Sequence, residues 1–310
     1  MTTVLSTLGS LRAVLVTGKG GVGKTTVTAA VARMLAANGR RVLCGETAVD
    51  DETASPLGAA LGVKGQVGED PIPAGENLDV VVLQATRGHR AFLRDALKVR
   101  LLADAALRSA AIRRFLMAAP SFPEMGVLYR VLELVRLRLP NGEPRYHTVV
   151  LDLPATGHAL ALAQIPSSLL RILPGGPIVE AVQEGLSLIM DPAQTGAVVV
   201  TLPETLPVSE ALELADGIRK HQLPLAAVFA NRMPHDRFTP EEKLSVFAHV
   251  KGKGPTLGVR SLERIDRSKA ALSRLAAGRG DVPLFVLYDS WAEGEALPAE
   301  LASTLAGGVP

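Results

Sequence analysis

Residues 13–26 read AVLVTGKGGVGKTT, and few stretches of this length leave a chain so little freedom in how it folds. A strand-forming run passes without a charge into four glycines, Gly18, Gly20, Gly21 and Gly23, and then into Lys24, Thr25 and Thr26 at the head of a helix-period segment. The glycines let the backbone turn tightly with its N–H groups inward, across Val22 as well. The helix beginning near Lys24 adds the positive end of its dipole, so phosphate oxygens are bound by main chain. In the pattern G-x-x-x-x-G-K-T the Lys24 amine reaches the β and γ phosphates and the Thr25 hydroxyl ligates Mg²⁺, with Thr26 beside it in the first turn. A glycine-rich turn without a ligand is the competing reading, and the flanking strand and helix weigh against it. A nucleotide's phosphates with Mg²⁺ are therefore expected here. Lys19 is left over, because one lysine already supplies the charge that the phosphates need.

The remainder of the chain repeats the same alternation. Mostly continuous apolar runs at residues 13–17, 41–46, 79–84, 148–152, 197–202, 225–231 and 283–287 suit strands covered on both faces. Helix-period stretches lie between them, among them residues 24–38, ended by Gly39, and residues 207–221. This predicts an α/β fold, a doubly wound and mostly parallel sheet, formed by one domain over residues 1–310. With 310 residues, 47% of them hydrophobic, the chain can bury a core of that size. Residues 87–140 are too long for a simple crossover and read as an inserted helical subdomain. Residues 239–280 form a second helical stretch, interrupted by the loop KGKGPTLG.

A net charge of only +2 gives no electrostatic drive toward nucleic acid or a membrane surface. No run of about 18 uncharged apolar residues occurs, so no stable membrane insertion is expected. The first apolar stretch runs into the glycine loop where a leader would have its cleavage site, so a cytoplasmic protein is expected. Cys44 is the only cysteine, which excludes an internal disulfide and a zinc site built from the chain's own thiolates.

A metal-facing acid should follow a strand, and HTVVLDLPATGH offers Asp152 after four apolar residues. That carboxylate would hold Mg²⁺ through a water, while Gly157 brings its N–H to the γ-phosphate. The alternative for Asp152 is a cap on the next helix. His158 reads as a residue packing locally at a helix start or as a catalyst.

Together these stretches resemble the ArsA-like branch of the SIMIBI P-loop NTPases, which includes arsenical-pump ATPases and the ATPases that target tail-anchored membrane proteins. KGGVGKTT resembles that branch's deviant Walker A motif, DLPATGHAL its switch II, and VTLPETLPVSEA and VFANRMP its later strands. The resemblance covers nearly the whole chain and is strongest to bacterial ArsA-related ATPases of undefined role. It implies a dimer, with itself or with a related ATPase, holding nucleotide at the subunit interface. Lys19 then becomes the lysine that crosses to the partner's phosphates, the other reading being a solvated loop lysine. It also implies that Asn231 hydrogen-bonds adenine and that the VPLF turn at residues 282–285 lies beside the base.

Two departures matter. Relatives carry a water-positioning aspartate two residues beyond the position matched by Glu46, where this chain has Ala48. Either Asp50 or Asp51 takes the role through a longer loop, or these acids are merely solvated and hydrolysis is slow. The pump and targeting ATPases use several cysteines, whereas Cys44 is expected to pack as a small apolar residue in the second strand.

Residues 87–138 hold eleven Arg and Lys against four Asp and Glu, beside apolar residues such as Leu101, Phe115 and Met117. This insertion is either a basic-rimmed groove for a protein client or an amphipathic layer packed on the core. The expected function is an ATP-hydrolysing dimeric switch that captures and releases a client. A MinD/ParA-like positioning ATPase is the first alternative, although the MinD class uses a basic C-terminal helix and LPAELASTLAGGVP contains neither Lys nor Arg. A metabolic kinase or ligase on the same nucleotide fold is the second.

Overall fold

The computed structural model describes residues 2–47, 54–89, 91, 122–154, 177–250 and 257–307. Eight strands form one sheet: β1 (Ala13–Gly18), β2 (Val42–Thr47), β3 (Ile72–Gly75), β4 (Leu78–Leu83), β5 (Thr148–Asp152), β6 (Thr195–Thr201), β7 (Leu225–Met233) and β8 (Leu284–Tyr288). Their order is β3-β4-β2-β5-β1-β6-β7-β8, and every pairing is parallel except β3 with β4. The expected doubly wound sheet is present.

β1 sits at the middle, paired with β5 on one side and β6 on the other, and each of its six residues is buried. Its side chains divide by the period of two. Val14 and Val16 join one core with α1 (Val4–Leu8), α2 (Lys24–Ala37), α3 (Pro56–Ala60) and a C-terminal helix over Ala296–Ala306. Leu15 joins the other core, under α4 (Phe122–Arg136), α5 (Pro177–Met190), α6 (Thr205–Lys220) and α8 (Leu257–Gly278). α7 (Pro240–Val250) lies outside both cores, against α8, with no buried residue; the C-terminal helix is α9. Cys44 packs in β2, fully buried, and burial pushes its thiol well above the ordinary range.

One strand differs from the sequence expectation. β3 is absent from it, because Ile-Pro-Ala-Gly carries a proline that reads as a breaker. Proline has no N–H to donate, and β3 is an edge strand where one side of the ladder needs no donor. The described part of the insertion, α4, is packed: Leu128, Tyr129, Leu132 and Val135 are buried in the core. Its arginines, and Arg87 before it, are bound within the chain. Arg87 pairs with Asp70 at 2.8 Å, Arg130 with Glu133 at 2.5 Å, and Arg136 with Glu184 at 2.7 Å. Leu101, Phe115 and Met117 lie outside the described residues. Among those described, no helix is long and apolar enough to cross a membrane.

Candidate nucleotide site

In a parallel sheet the loops that follow strands share one edge, and ligand sites gather there. The glycine loop follows β1 at that edge. Gly18 has φ +149°, and a Cβ on it would stand 2.3 Å from the Val200 carbonyl oxygen of β6, so the loop leaves the sheet where only glycine fits. Gly23 is the N-cap of α2, with φ +88°, and a Cβ there would meet the Asn231 amide nitrogen at 2.4 Å. Between them Gly20 and Gly21 have no atom of the described residues within 4 Å of where a Cβ would be. Val22 turns its side chain into the core. The loop is therefore pinned at both ends and open at its tip, ahead of the N–H groups of a fourteen-residue helix.

Lys24 opens α2, and its amine donates to the Lys19 carbonyl at 3.1 Å. Burial lowers its pKa, opposed by Asp152 nearby. The Thr25 hydroxyl donates to Asp152 Oδ2 at 2.5 Å, while the Thr28 hydroxyl lies 3.5 Å from the other carboxylate oxygen. Thr26 is half-buried in the same turn. Asp152 ends β5 beside β1, and burial raises its pKa to about 6, with the Thr25 hydrogen bond and Lys24 pulling it down and Glu46 pushing it up. The donor set suits a hard divalent cation: a hydroxyl oxygen and a buried carboxylate side by side, below a cradle of free N–H groups.

The two loop lysines part company. Lys19 Nζ leaves the loop and pairs with Glu210 Oε1 of α6 at 2.7 Å. Asn231, 4% exposed, donates from Nδ2 to the Val22 carbonyl at 2.9 Å and accepts from the Arg232 N–H. It thus braces the loop from behind. Asp50, Gly157 and His158 lie outside the described residues.

Past Asn231, the segments following β7 and β8 enclose a cleft of about 460 Å³ lined by Pro234, His235, Arg237, Asp289, Ser290 and Trp291. His235 stacks on Tyr288 at 5.0 Å, and Trp291 is 97% exposed. Residues 282–285, expected beside a base, lead into β8, where Leu284 and Phe285 stand level, through β7 and β6, with Thr17 and Gly18 at the end of β1, and Phe285 is buried.

Three residues carry more than the sequence reading gave them. Thr28 is one turn beyond Thr25, a spacing that places both hydroxyls on one helix face. Glu46 is buried beside Asp152 in register and accepts the Leu57 N–H at 2.9 Å, tying β2 to α3. Glu210 gave no local signal at all.

Known proteins resemble this chain in sequence. Residues 11–175, just over half of the chain, match the model of the ArsA ATPase family, described as anion-transporting ATPase. The ATPase BagA of Mycobacterium tuberculosis is 28% identical over 247 residues, which cover 76% of this chain and 69% of that protein. An uncharacterised protein of Streptomyces coelicolor is 36% identical over 167 residues, covering 53% of this chain and 39% of its own length.

Proposed function

Because the chain belongs to the ArsA family of anion-transporting ATPases, we propose that it is a dimeric Mg-ATP switch whose hydrolysis sets the capture and release of a protein client. The supporting observation is the divergence of its two loop lysines. Lys24 points along its own loop, while Lys19 leaves that loop altogether for α6. That divergence supports a role for Lys19 at another copy's phosphates, or at those of a related ATPase.

In this reading the N–H groups from Gly18 to Thr26 hold the phosphates, and Lys24 exchanges the Lys19 carbonyl for β and γ oxygens. Thr25 and Asp152 hold Mg²⁺, which neutralises charge between the β and γ phosphates when bound. Lys19 of the second copy stabilises the negative charge that builds during transfer. The base lies in the cleft after β7 and β8. That cleft stands two to three strand spacings from β1, about 10–14 Å, which an extended nucleoside triphosphate spans. Water is oriented by Asp50 or Asp51, which lie in sequence between Glu46 and its partner Leu57. The client binds the insertion over residues 92–121, since α4 is committed to the core.

Turnover per subunit, measured against protein concentration, tests this. It should rise as pairs form, and Lys19→Ala should lower it about 100-fold while leaving ATP affinity at monomeric concentrations unchanged. Turnover independent of concentration in a protein that sediments as a monomer would overturn the switch.

A further inference from the structure

The sequence question about Lys19 has a second half: what holds that lysine when no partner is present. A free ammonium on an exposed loop tip samples many rotamers, yet here Nζ is 2.7 Å from Glu210 Oε1. The two residues are 191 positions apart and meet only because β6 lies next to β1, so that α6, following β6, starts beside the glycine loop. Lys19 remains 51% exposed and Glu210 24% exposed, so the pair sits at the rim, open to water and to another chain. Leu206, one turn before Glu210 on the same helix face, is 67% exposed. The Leu206 face at the start of α6 is thus uncovered by the described residues of its own chain, while Val208 on the other face is in the core.

We propose that Glu210 is a positioning residue for Lys19, holding its amine on the single subunit and yielding it to the partner's phosphates when ATP-bound copies pair. The proposal rests on the trans assignment of Lys19 given above. The backbone supplies the coupling to nucleotide. Lys24 donates to the Lys19 carbonyl, so phosphates that claim the Lys24 amine also free the main chain of Lys19. A carboxylate carries one negative charge and a bound triphosphate several, so the exchange favours the partner's nucleotide once it is near. It does not favour a partner without nucleotide. An exposed ion pair is worth only about 0.2–1 kcal/mol, which keeps the hold weak enough to be reversed. Glu210 therefore acts as a small, salt-sensitive tax on pairing, levied on each subunit.

The test is sedimentation of the full chain with Mg²⁺ and a slowly hydrolysed ATP analogue at low salt, comparing wild type, Glu210→Gln, Lys19→Ala and the double variant. Glu210→Gln should tighten association roughly 2- to 30-fold, two ion pairs being released per dimer. The gain should vanish above about 0.5 M salt and should be absent in the Lys19→Ala background. Glu210→Asp, which keeps the charge, should stay near wild type. Unchanged or weaker association of Glu210→Gln overturns the proposal, and so does a gain that survives Lys19→Ala, because Glu210 would then act on the interface directly. Failure of the underlying reading looks different: Lys19→Ala alone would leave association and turnover at wild-type values, and the holding role would fall with it.

Discussion

The sheet has two polar edges, and they treat their charges in opposite ways. At the edge that precedes the strands, Arg12, Arg40, Arg41, Arg138 and His147 crowd together. Arg12 donates to the Val135 carbonyl at 2.6 Å, Arg40 to Thr148 Oγ1 at 3.0 Å and the His147 carbonyl at 3.1 Å, and Arg41 to the Pro144 carbonyl at 2.9 Å. Tyr146 donates to Asp79 at 2.7 Å. These side chains stitch strand starts and loops to one another. At the opposite edge the glycine tip touches none of the described residues, Lys19 reaches a carboxylate at the rim, and Asp152 is a buried acid whose pKa is raised to about 6. The difference teaches where chemistry can occur. A charge already saturated by its own fold stabilises that fold, whereas a charge kept short of partners is available to a ligand.

The sharpest way to break the comparison is Lys24→Ala. Two charge-assisted hydrogen bonds to phosphate are worth about 1.5–3 kcal/mol each, so Mg-ATP affinity by calorimetry should fall roughly 100- to 10,000-fold with little change in thermal stability. A milder probe is pH. Asp152 must be ionised to hold Mg²⁺, and its pKa is about 6, so Mg-ATP affinity should fall about tenfold between pH 7 and pH 5. Its effect on the empty fold runs the other way. A carboxylate whose pKa is raised on folding stabilises below about pH 4, and that contribution is lost as pH climbs through about 6. Asp152→Asn should therefore flatten both profiles. The smallest effect on the ligand, and the one that separates the two edges, is Arg40→Ala: a loss of about 1–3 kcal/mol in denaturant unfolding, with Mg-ATP affinity unchanged. A change in affinity there would mean that the edges are coupled.

How much of this could be read from the residues depended on how locally each feature is encoded. The glycine loop was legible because its strand, turn, lysine and threonine are contiguous, and Asp152 because a polar residue ending an apolar run marks a strand end. Proline hid β3, since the cue that breaks a central strand does not break an edge strand. Residues 282–285 were legible as the start of a strand, but how far along the sheet that strand begins depends on register across β6 and β7, which no local pattern encodes. Asn231 was legible as a strand-end residue, but its partner Val22 is 209 positions away. Glu210 was invisible for the same reason, as no periodicity links α6 to the loop.

The central place of β1 also has a consequence for how the chain comes into being. Ala13 finds one neighbour at Val149 and the other at Thr195, so the strand carrying the glycine loop has no neighbour until about half of the chain exists and lacks its second until nearly two thirds does. At about 5–20 residues per second, a ribosome needs roughly 10–40 s to deliver both neighbours. During that interval an apolar strand and an unformed phosphate cradle are exposed to the cell, and neither ATP nor a partner copy can help. Newly made chains should therefore depend on chaperones for longer than β3, whose neighbour β4 follows within a few residues, and a stalled chain of about 190 residues should be bound by them where a released full-length chain is not.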